Sequence, residues 1–446
     1  MKENRRTFLK KSSVSAAGIT IGGIGMTAKS YSRIIGANDQ INVAGIGTRS
    51  RGDYLAGEFG KAAGAVVTHI CDVDARVVDK TINNIKKATG NAPKGERDIR
   101  RLLEDKSIDA VFIATPDHWH APASWMAMEA GKHVYVEKPC SHNPKEGELL
   151  KKFQTKYGKV IQMGNQQRSA PETIEVIRDI HNGLIGEVYL GKAFYNNKRG
   201  TIGVGKTVPV PDYLDWELWQ GPAPRVAYHD NYHPYNWHWF WNWGTGETCN
   251  NGTHELDVCR WALQVDFPKH VKATGGRYFD KDDDWQFYDT LLNHYEFKGN
   301  KTITWEGQSC NAAKLYGRDR GSVIFGTKGS VIIDRSGYEV YDLSGHKIRE
   351  HKTGQTSSTS DTVGTGDMMT LNHINNFLDT VRGKHVEQHS PIDEAHKSVL
   401  LCHLANIAWK MKRPLTCDEE DGHILNDKEA MAMWGRTYAE GWEPKI

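Results

Sequence analysis

Between Gln40 and Met163 the chain alternates short apolar runs with amphipathic stretches, and this alternation restricts its fold more than any other feature. The runs are Ile41–Ile46, Ala65–Cys71, 110–114, His133–Val136 and 160–163. Helical spacing fills the intervals at 53–61, 75–88, Ile99–Glu104, 121–130 and 144–156. Short buried runs joined by helices are βαβ units, which assemble as a parallel sheet covered by helices on both faces. From Gly186 onward the pattern changes. Segments 188–195, 270–278, Thr290–Phe297, 301–307 and 322–341 read as antiparallel strands with glycine-containing turns. Residues 353–366 are a Ser/Thr/Gly stretch without apolar periodicity, expected to be a surface loop, and helical spacing returns at 368–380 and 394–410. A chain of 446 residues is too long for one ordinary core.

The first apolar run ends in Gly45-Ile46-Gly47, with Thr48, Arg49 and Gly52 following. Glycines there let backbone approach a pyrophosphate at a helix N-terminus. The third glycine comes later than the usual spacing, so the second run carries part of the argument. It ends at Asp72, where a carboxylate would accept hydrogen bonds from both adenosine ribose hydroxyls and repel a 2′-phosphate. NAD is therefore expected rather than NADP, although Arg49 and Arg51 in the turn are also suited to a phosphate. The organisation this implies is α/β: a signal and linker at 1–37, an NAD-binding Rossmann domain at 38–165, and a substrate-binding domain at 166–446. The last is expected to hold an open, mostly antiparallel sheet and C-terminal helices.

The fourth run leads into Ala114-Thr115-Pro116-Asp117-His118-Trp119-His120, and the fifth into Glu137-Lys138-Pro139. Both stand at carboxyl ends of parallel strands, where open α/β sheets bind ligands. With Ala130-Gly131-Lys132-His133-Val134, Gly183-Leu184-Ile185-Gly186-Glu187 and Asn250-Asn251-Gly252-Thr253-His254-Glu255-Leu256-Asp257, these segments make the chain resemble the Gfo/Idh/MocA oxidoreductases from about Gln40 onward. The resemblance implies that Thr115, Pro116, His120, Glu137 and Lys138 line the nicotinamide side of a cleft. It also implies that Gln166, Gln167 and Arg168 form a polar segment facing cofactor and substrate.

Oxidising a sugar hydroxyl needs a base, a positive partner for the alkoxide and a hydride acceptor in line. Lys138 suits the second role, and desolvation would also let it relay protons. His254 is the candidate base, on a helix expected to begin near Asn251. The family usually has Asp four positions before this His, where this chain has Asn250. An amide orients a hydroxyl but takes no proton, so His254 carries more of the burden. Asp257 reads as a structural ion-pair residue, with Arg260 as the nearest candidate partner. The aromatic stretch 228–243, with Tyr228, Tyr232, Tyr235, Trp237, Trp239, Phe240, Trp241 and Trp243 among three histidines, suits stacking on pyranose C–H faces. Trp237, His238 and Trp241 are its expected substrate contacts, and packing against the cleft accounts for the other rings.

A net charge of +2 with interspersed signs gives no reason to expect nucleic acid as a partner. Seven cysteines without a CxxC pair give no disulfide framework or zinc motif, and the histidine spacing fits no compact metal site. At the N-terminus, Arg5-Arg6-Thr7-Phe8-Leu9-Lys10 precedes a weakly apolar run at 12–26, too short for a membrane span. This reads as a twin-arginine signal, which directs folded proteins to the periplasm through its own export machinery. No pool of free NAD awaits there, so the cofactor is expected to load beforehand and to stay bound. Three functions fit: an oxidoreductase acting on a secondary hydroxyl of a sugar or glycoside, at C3 in one form; a redox-neutral NAD-dependent glycosidase working by oxidation and elimination; or a non-catalytic sugar- or cofactor-binding protein. The exposed face of the open sheet makes a homo-oligomer expected.

Overall fold

The structure is a computed structural model that describes residues 40–353 and 368–446. The twin-arginine segment and, apart from Thr353, the loop expected at 353–366 lie outside the described residues. The first half contains β1 (Ile41–Ile46), α1 (Arg51–Lys61), β2 (Ala65–Cys71), α2 (Ala75–Thr89), β3 (Lys94–Glu96) and α3 (Ile99–Glu104). It continues with β4 (Ala110–Ile113), α4 (Asp117–Glu129), β5 (His133–Val136), α5 (Pro144–Tyr157) and β6 (Ile161–Met163). The six strands are parallel in the order β3-β2-β1-β4-β5-β6, so the winding reverses between β1 and β4. That reversal opens a crevice at the strands' carboxyl ends. β3, Lys94-Gly95-Glu96, has no apolar run because it is an exposed edge. α4 begins at Asp117, earlier than its apolar spacing indicated, because Pro116 caps it with a φ of −58°. The polar fingerprint residues 117–120 are thus the first turn of a helix.

The second half contains α6 (Pro171–His181), β7 (Val188–Lys198), α7 (Thr253–Leu263), β8 (His270–Gly276), β9 (Thr290–Phe297), β10 (Lys301–Gln308) and β11 (Arg320–Gly326). It continues with β12 (Gly329–Asp334), β13 (Gly337–Tyr341), β14 (Lys347–Lys352), α8 (Met368–Val381), α9 (Ile392–Met411), β15 (Leu415–Thr416) and a last short helix, Lys428–Met431. The sheet order is β14-β13-β12-β11-β7-β10-β9-β8-β15, antiparallel throughout except between β7 and β10. The fold is therefore a parallel Rossmann-like sheet followed by a mostly antiparallel one. The long run at 322–341 resolves into three strands, because turns at 327–328 and 335–336 break it.

α9 is buried on all sides from Ser398 to Ala408, so that stretch lacks a polar face, while Asp393, Glu394 and Lys397 reach solvent in its first turns. Ile392, Ala395 and Val399 pack under the first sheet, while Leu401, Leu404 and Ala405 belong to the core of the second. α8 places Ile374, Phe377 and Leu378 against Phe59 of α1 and Tyr135 of β5. The two halves are held together by shared apolar burial, which gives a cleft between them fixed walls.

The turn after β1 is closely packed. Gly47 has a φ of +77°, and a Cβ there would meet the Thr115 backbone nitrogen at 2.7 Å; a Cβ at Gly52 would overlap the Gly47 carbonyl. Gly57, in the same helix α1, has open space around it. Gly52→Ala is expected to destabilise by roughly 1–3 kcal/mol through overpacking, and Gly57→Ala to stabilise by about 0.8–1 kcal/mol through helix propensity. Denaturant melts of the two variants should move in opposite directions.

Candidate active site

A cleft of about 310 Å³ runs along the carboxyl edge of the first sheet and is closed on its far side by the second half of the chain. At one end, the Asp72 carboxylate accepts the N–H of Thr48 at 2.7 Å and that of Asp74 at 3.0 Å. These two donors fix its orientation towards the cleft and leave lone pairs for further donors. Arg49 lines the same end and pairs with Asp74 at 2.9 Å. Gly45 lies behind this wall in β1, where Phe112 leaves no room for a side chain.

Further along, β5 delivers Glu137 and Lys138. Glu137 accepts from Arg51 Nε at 2.8 Å and Gln166 Nε2 at 3.0 Å. Burial pushes its carboxyl up, but the charges of Arg51 and Lys138 outweigh that and hold it below the usual range. His120 bonds the Pro139 carbonyl through Nδ1 at 2.6 Å, and burial holds its imidazole neutral, down to about 4.

Lys138 donates from Nζ to the Asn250 carbonyl and, at 3.2 Å, to Asn250 Oδ1. Burial lowers its pKa, opposed by Glu137 and Asp117. Asn250 sits in a widened π-turn, Thr248–Gly252, immediately before α7. Such turns push one residue out of helical register, and here the displaced residue meets the lysine. His254, on the first turn of α7, lines the cleft beside them. Burial, with Arg335, Lys138 and Arg320 around it, holds that imidazole well below the ordinary histidine value, so it is a neutral acceptor.

The excursion between β7 and α7 crosses the cleft as a strap. Ala75 N–H donates to the Tyr213 carbonyl and Asp215 N–H to that of Val73, both at 3.0 Å. The Arg76 guanidinium lies 3.3 Å over the Tyr213 ring. Trp119 Nε1 donates to the Trp219 carbonyl at 2.9 Å, and His118 Nε2 lies 2.9 Å from the same oxygen. Leu218, Trp219, His233 and Pro234 line the cleft from this strap. Trp216, Tyr228, Phe240 and Trp243 pack beneath it as its own small core.

The cleft collects most of the residues expected there: Gly47, Arg49, Asp72, Thr115, Pro116, His120, Glu137, Lys138, Gln166, Gln167, Trp237, His238, Asn250 and His254. Thr48 contributes its backbone to Asp72 and does not line the cleft. Two expected substrate contacts are elsewhere. Arg168 is buried and makes a two-pronged pair with Asp257 at 2.7 and 2.9 Å through Nε and Nη2, away from the cleft. Asp257 accordingly pairs with Arg168 and Ser398, whereas Arg260 pairs with Glu394 and Asp266. Trp241 stacks on Phe287 at 4.0 Å, outside the cleft, in the turn that follows the short helix Asn236–Trp239. Sequence reasoning did not place Asp117, Arg199, Arg320 or the strap residues before 228 in the site. The Pro–Asp step at the end of β4 was the available signal for Asp117.

The residues fit a dinucleotide. Gly47 and Gly52 form a cradle that a Cβ would fill, and the buried hydroxyls of Thr48 and Thr115 beside it have no partner in the protein. Residues 41–165 match the family model described as oxidoreductase family, NAD-binding Rossmann fold, and 174–332 match the GFO/IDH/MocA C-terminal domain. The chain belongs to the Gfo/Idh/MocA oxidoreductase family, and its cofactor is NAD. A curated relative of this Gfo/Idh/MocA chain, a glycosyl hydrolase family 109 protein from Saccharopolyspora erythraea, is 31% identical over 221 residues. The match takes in 46% of the chain and 48% of that relative, so the chain spans about half the length of the curated relatives it matches. Among solved structures, a levoglucosan dehydrogenase in complex with NADH and levoglucosan is similar in fold, with a TM-score of 0.64 and 18% identity over 84% of this chain and 99% of that one. An NAD-binding protein from Listeria innocua gives a TM-score of 0.63 and 18% identity over 86% and 99%.

Placing Arg168 in the core has a measurable consequence. Arg168→Ala leaves the buried Asp257 carboxylate unpaired and is expected to cost about 3–5 kcal/mol of stability. Asp257→Ala should cost a similar amount and the double variant less than the sum, in denaturant titrations with nucleotide content measured alongside.

Proposed function

We propose that this chain is an exported NAD-dependent oxidoreductase that acts on a secondary hydroxyl of a sugar or glycoside and retains its cofactor through turnover. The observation that carries the reading is the meeting of Lys138, Asn250 and His254 in the cleft that also holds the glycine cradle and Asp72. NAD, when bound, supplies the hydride acceptor. Lys138 faces the substrate oxygen as the positive partner for a developing alkoxide, in a site dry enough for that charge to count. Neutral His254 accepts the hydroxyl's hydrogen bond and draws its proton, and Asn250 holds the lysine in place. Trp237 and His238 present ring faces suited to a pyranose.

The twin-arginine motif supports export to the periplasm, and the strap supports retention, since it ties residues 213–219 to α2 and α4 across the cleft. A closed cofactor cycle then follows: what is reduced on one substrate must be reoxidised in place. One second reading has an observation in its favour, because the curated relatives are named glycosyl hydrolases. In that form a ketone made at C3 acidifies the neighbouring C–H, the glycosidic bond breaks by elimination, water adds, and the ketone is reduced again. Mass spectrometry of a glycoside panel separates the two, since oxidation removes two hydrogens and cleavage releases a fragment. The open sheet face also supports self-association.

Protein freed of loose nucleotide should show bound-NADH absorbance that rises on adding donor sugar. It should fall when a keto sugar follows, or unaided in the redox-neutral form. An empty site after purification, with strict dependence on added NAD, would remove the closed cycle. Replacing Tyr213 and Arg76 by Ala should loosen the strap and let NAD escape during gel filtration. Lys138→Ala is expected to lose roughly 10²–10³ in turnover at every pH. His254→Ala should lose less at high pH, where solvent base partly substitutes. Near-native turnover in Lys138→Ala would place the chemistry elsewhere.

A further inference from the structure

Behind the cleft wall, the Glu247 carboxylate collects donors from three segments of the second half. Glu247 is 1% exposed and stands immediately before the π-turn that carries Asn250. Arg199 donates to it from Nε at 2.6 Å and from Nη2 at 3.2 Å, and Ser309 from Oγ at 3.1 Å. From the π-turn, Asn251 donates through Nδ2 at 2.5 Å and Asn250 through Nδ2 at 3.3 Å. Burial pushes the Glu247 carboxyl up, but the Arg199 charge and these donors outweigh that and hold it below the usual range, as an anion. Arg199, Asn250 and Asn251 line the cleft, whereas Glu247 does not.

The Asn250 amide therefore bridges two opposite charges. Its Nδ2 donates to Glu247, and its Oδ1 accepts from Lys138 Nζ at 3.2 Å. An amide has one donor end and one acceptor end, so the reverse orientation would set NH2 against the ammonium and oxygen against the carboxylate. Glu247 has helical backbone geometry and lies three positions before Asn250, which brings the two side chains together. A carboxylate at position 250, where the resemblance leads one to expect an acid, would face Glu247 across that gap. Two carboxylates so close cannot both ionise. This chain carries the negative charge one step further back, and a neutral dipole touches the lysine.

Building on the sugar-oxidation reading, we propose that Glu247 is a positioning residue for Lys138, acting through the Asn250 amide. The carboxylate fixes the amide and strengthens its oxygen as an acceptor, since hydrogen bonds in a chain polarise one another. Both oxygens of Asn250 that accept from Nζ are neutral, so they hold the ammonium without cancelling the charge that a developing alkoxide needs. Arg199 follows β7 and Ser309 follows β10, so the second sheet sets the amide and, through it, the lysine. The other charges acting on Lys138 are Glu137 and Asp117, which oppose the lowering of its pKa by burial, and Arg320 and Arg51, which add to it.

The test compares Glu247→Gln, Asn250→Asp and the double variant with the native protein, all NAD-loaded. Competitive acetylation, read by mass spectrometry of the peptide carrying Lys138, follows the lysine's pKa without substrate. Formation of bound NADH from a panel of hexoses and methyl glycosides follows hydride transfer. Glu247→Gln frees the amide and weakens an acceptor of the ammonium, so it should lower the Lys138 pKa by about one pH unit and slow hydride transfer about 10-fold. Asn250→Asp alone should also slow the step, because the new carboxylate and Glu247 must share a proton. The double variant sets a single carboxylate against the lysine, so the pKa should rise again and most of the rate return. The same Asn250→Asp change thus harms in one background and rescues in the other, which a role in folding alone does not produce. An unmoved Lys138 pKa in Glu247→Gln, or an Asn250→Asp effect of one sign in both backgrounds, overturns the positioning role. Should Glu247→Gln fail to fold with Arg199 unpaired, Arg199→Met made with it removes the stranded charge, and the same comparison is read there. If no sugar reduces the bound cofactor, the sugar reading falls, and the Lys138 pKa alone decides for or against Glu247.

Discussion

Lys138 is a half-buried cation in the cleft, and much of the site is arranged around keeping it charged. An ammonium taken out of water loses its hydration and survives only with close partners. The first sheet supplies Glu137 and Asp117 as countercharges, and the second half supplies the carbonyl and amide oxygens of Asn250. Neither half satisfies the lysine alone. The tie between β5 and the π-turn therefore fixes how the two halves meet, and places His254 at the same point.

Glu137 shows how tightly these charges are coupled. It is shared between Arg51, from the turn that forms the cofactor cradle, and Gln166, from the segment after β6. A change at the glycine turn thus reaches the lysine through a single carboxylate. The strap works differently. It adds no charge at the reacting end, but its backbone bonds to β2–α2 and its indole contacts with α4 close the far side of the cleft. Holding the cofactor and holding the lysine are separate tasks carried by separate elements.

The fold was legible because its signals are local. The βαβ alternation from 41 to 163 and the alternating strands such as β9 depend on periodicities of a few residues, which the chain carries wherever it ends up. Errors came where burial was set by distant partners. β3 was missed, since as an exposed edge it has no apolar run. Arg168 followed a strand in a segment suited to the cleft, yet Asp257, carried on α7, takes its guanidinium into the core.

The sequence by itself determined the parallel sheet with its crevice and the cofactor turn at Gly45–Gly52 with Asp72, which follow from spacing along the chain, while Lys138 and His254 became reactive candidates through the motifs that carry the family resemblance. Tertiary structure decided which polar groups remain available once packed. It engaged Arg168, turned Trp241 away and drew the strap across the cleft. The physical reason is that a side chain's chemistry depends on its desolvation and on the partners within hydrogen-bond reach. Those partners lie far away along the chain, 128 residues for Asp117 and Thr245 and 89 for Arg168 and Asp257, and no local pattern records them.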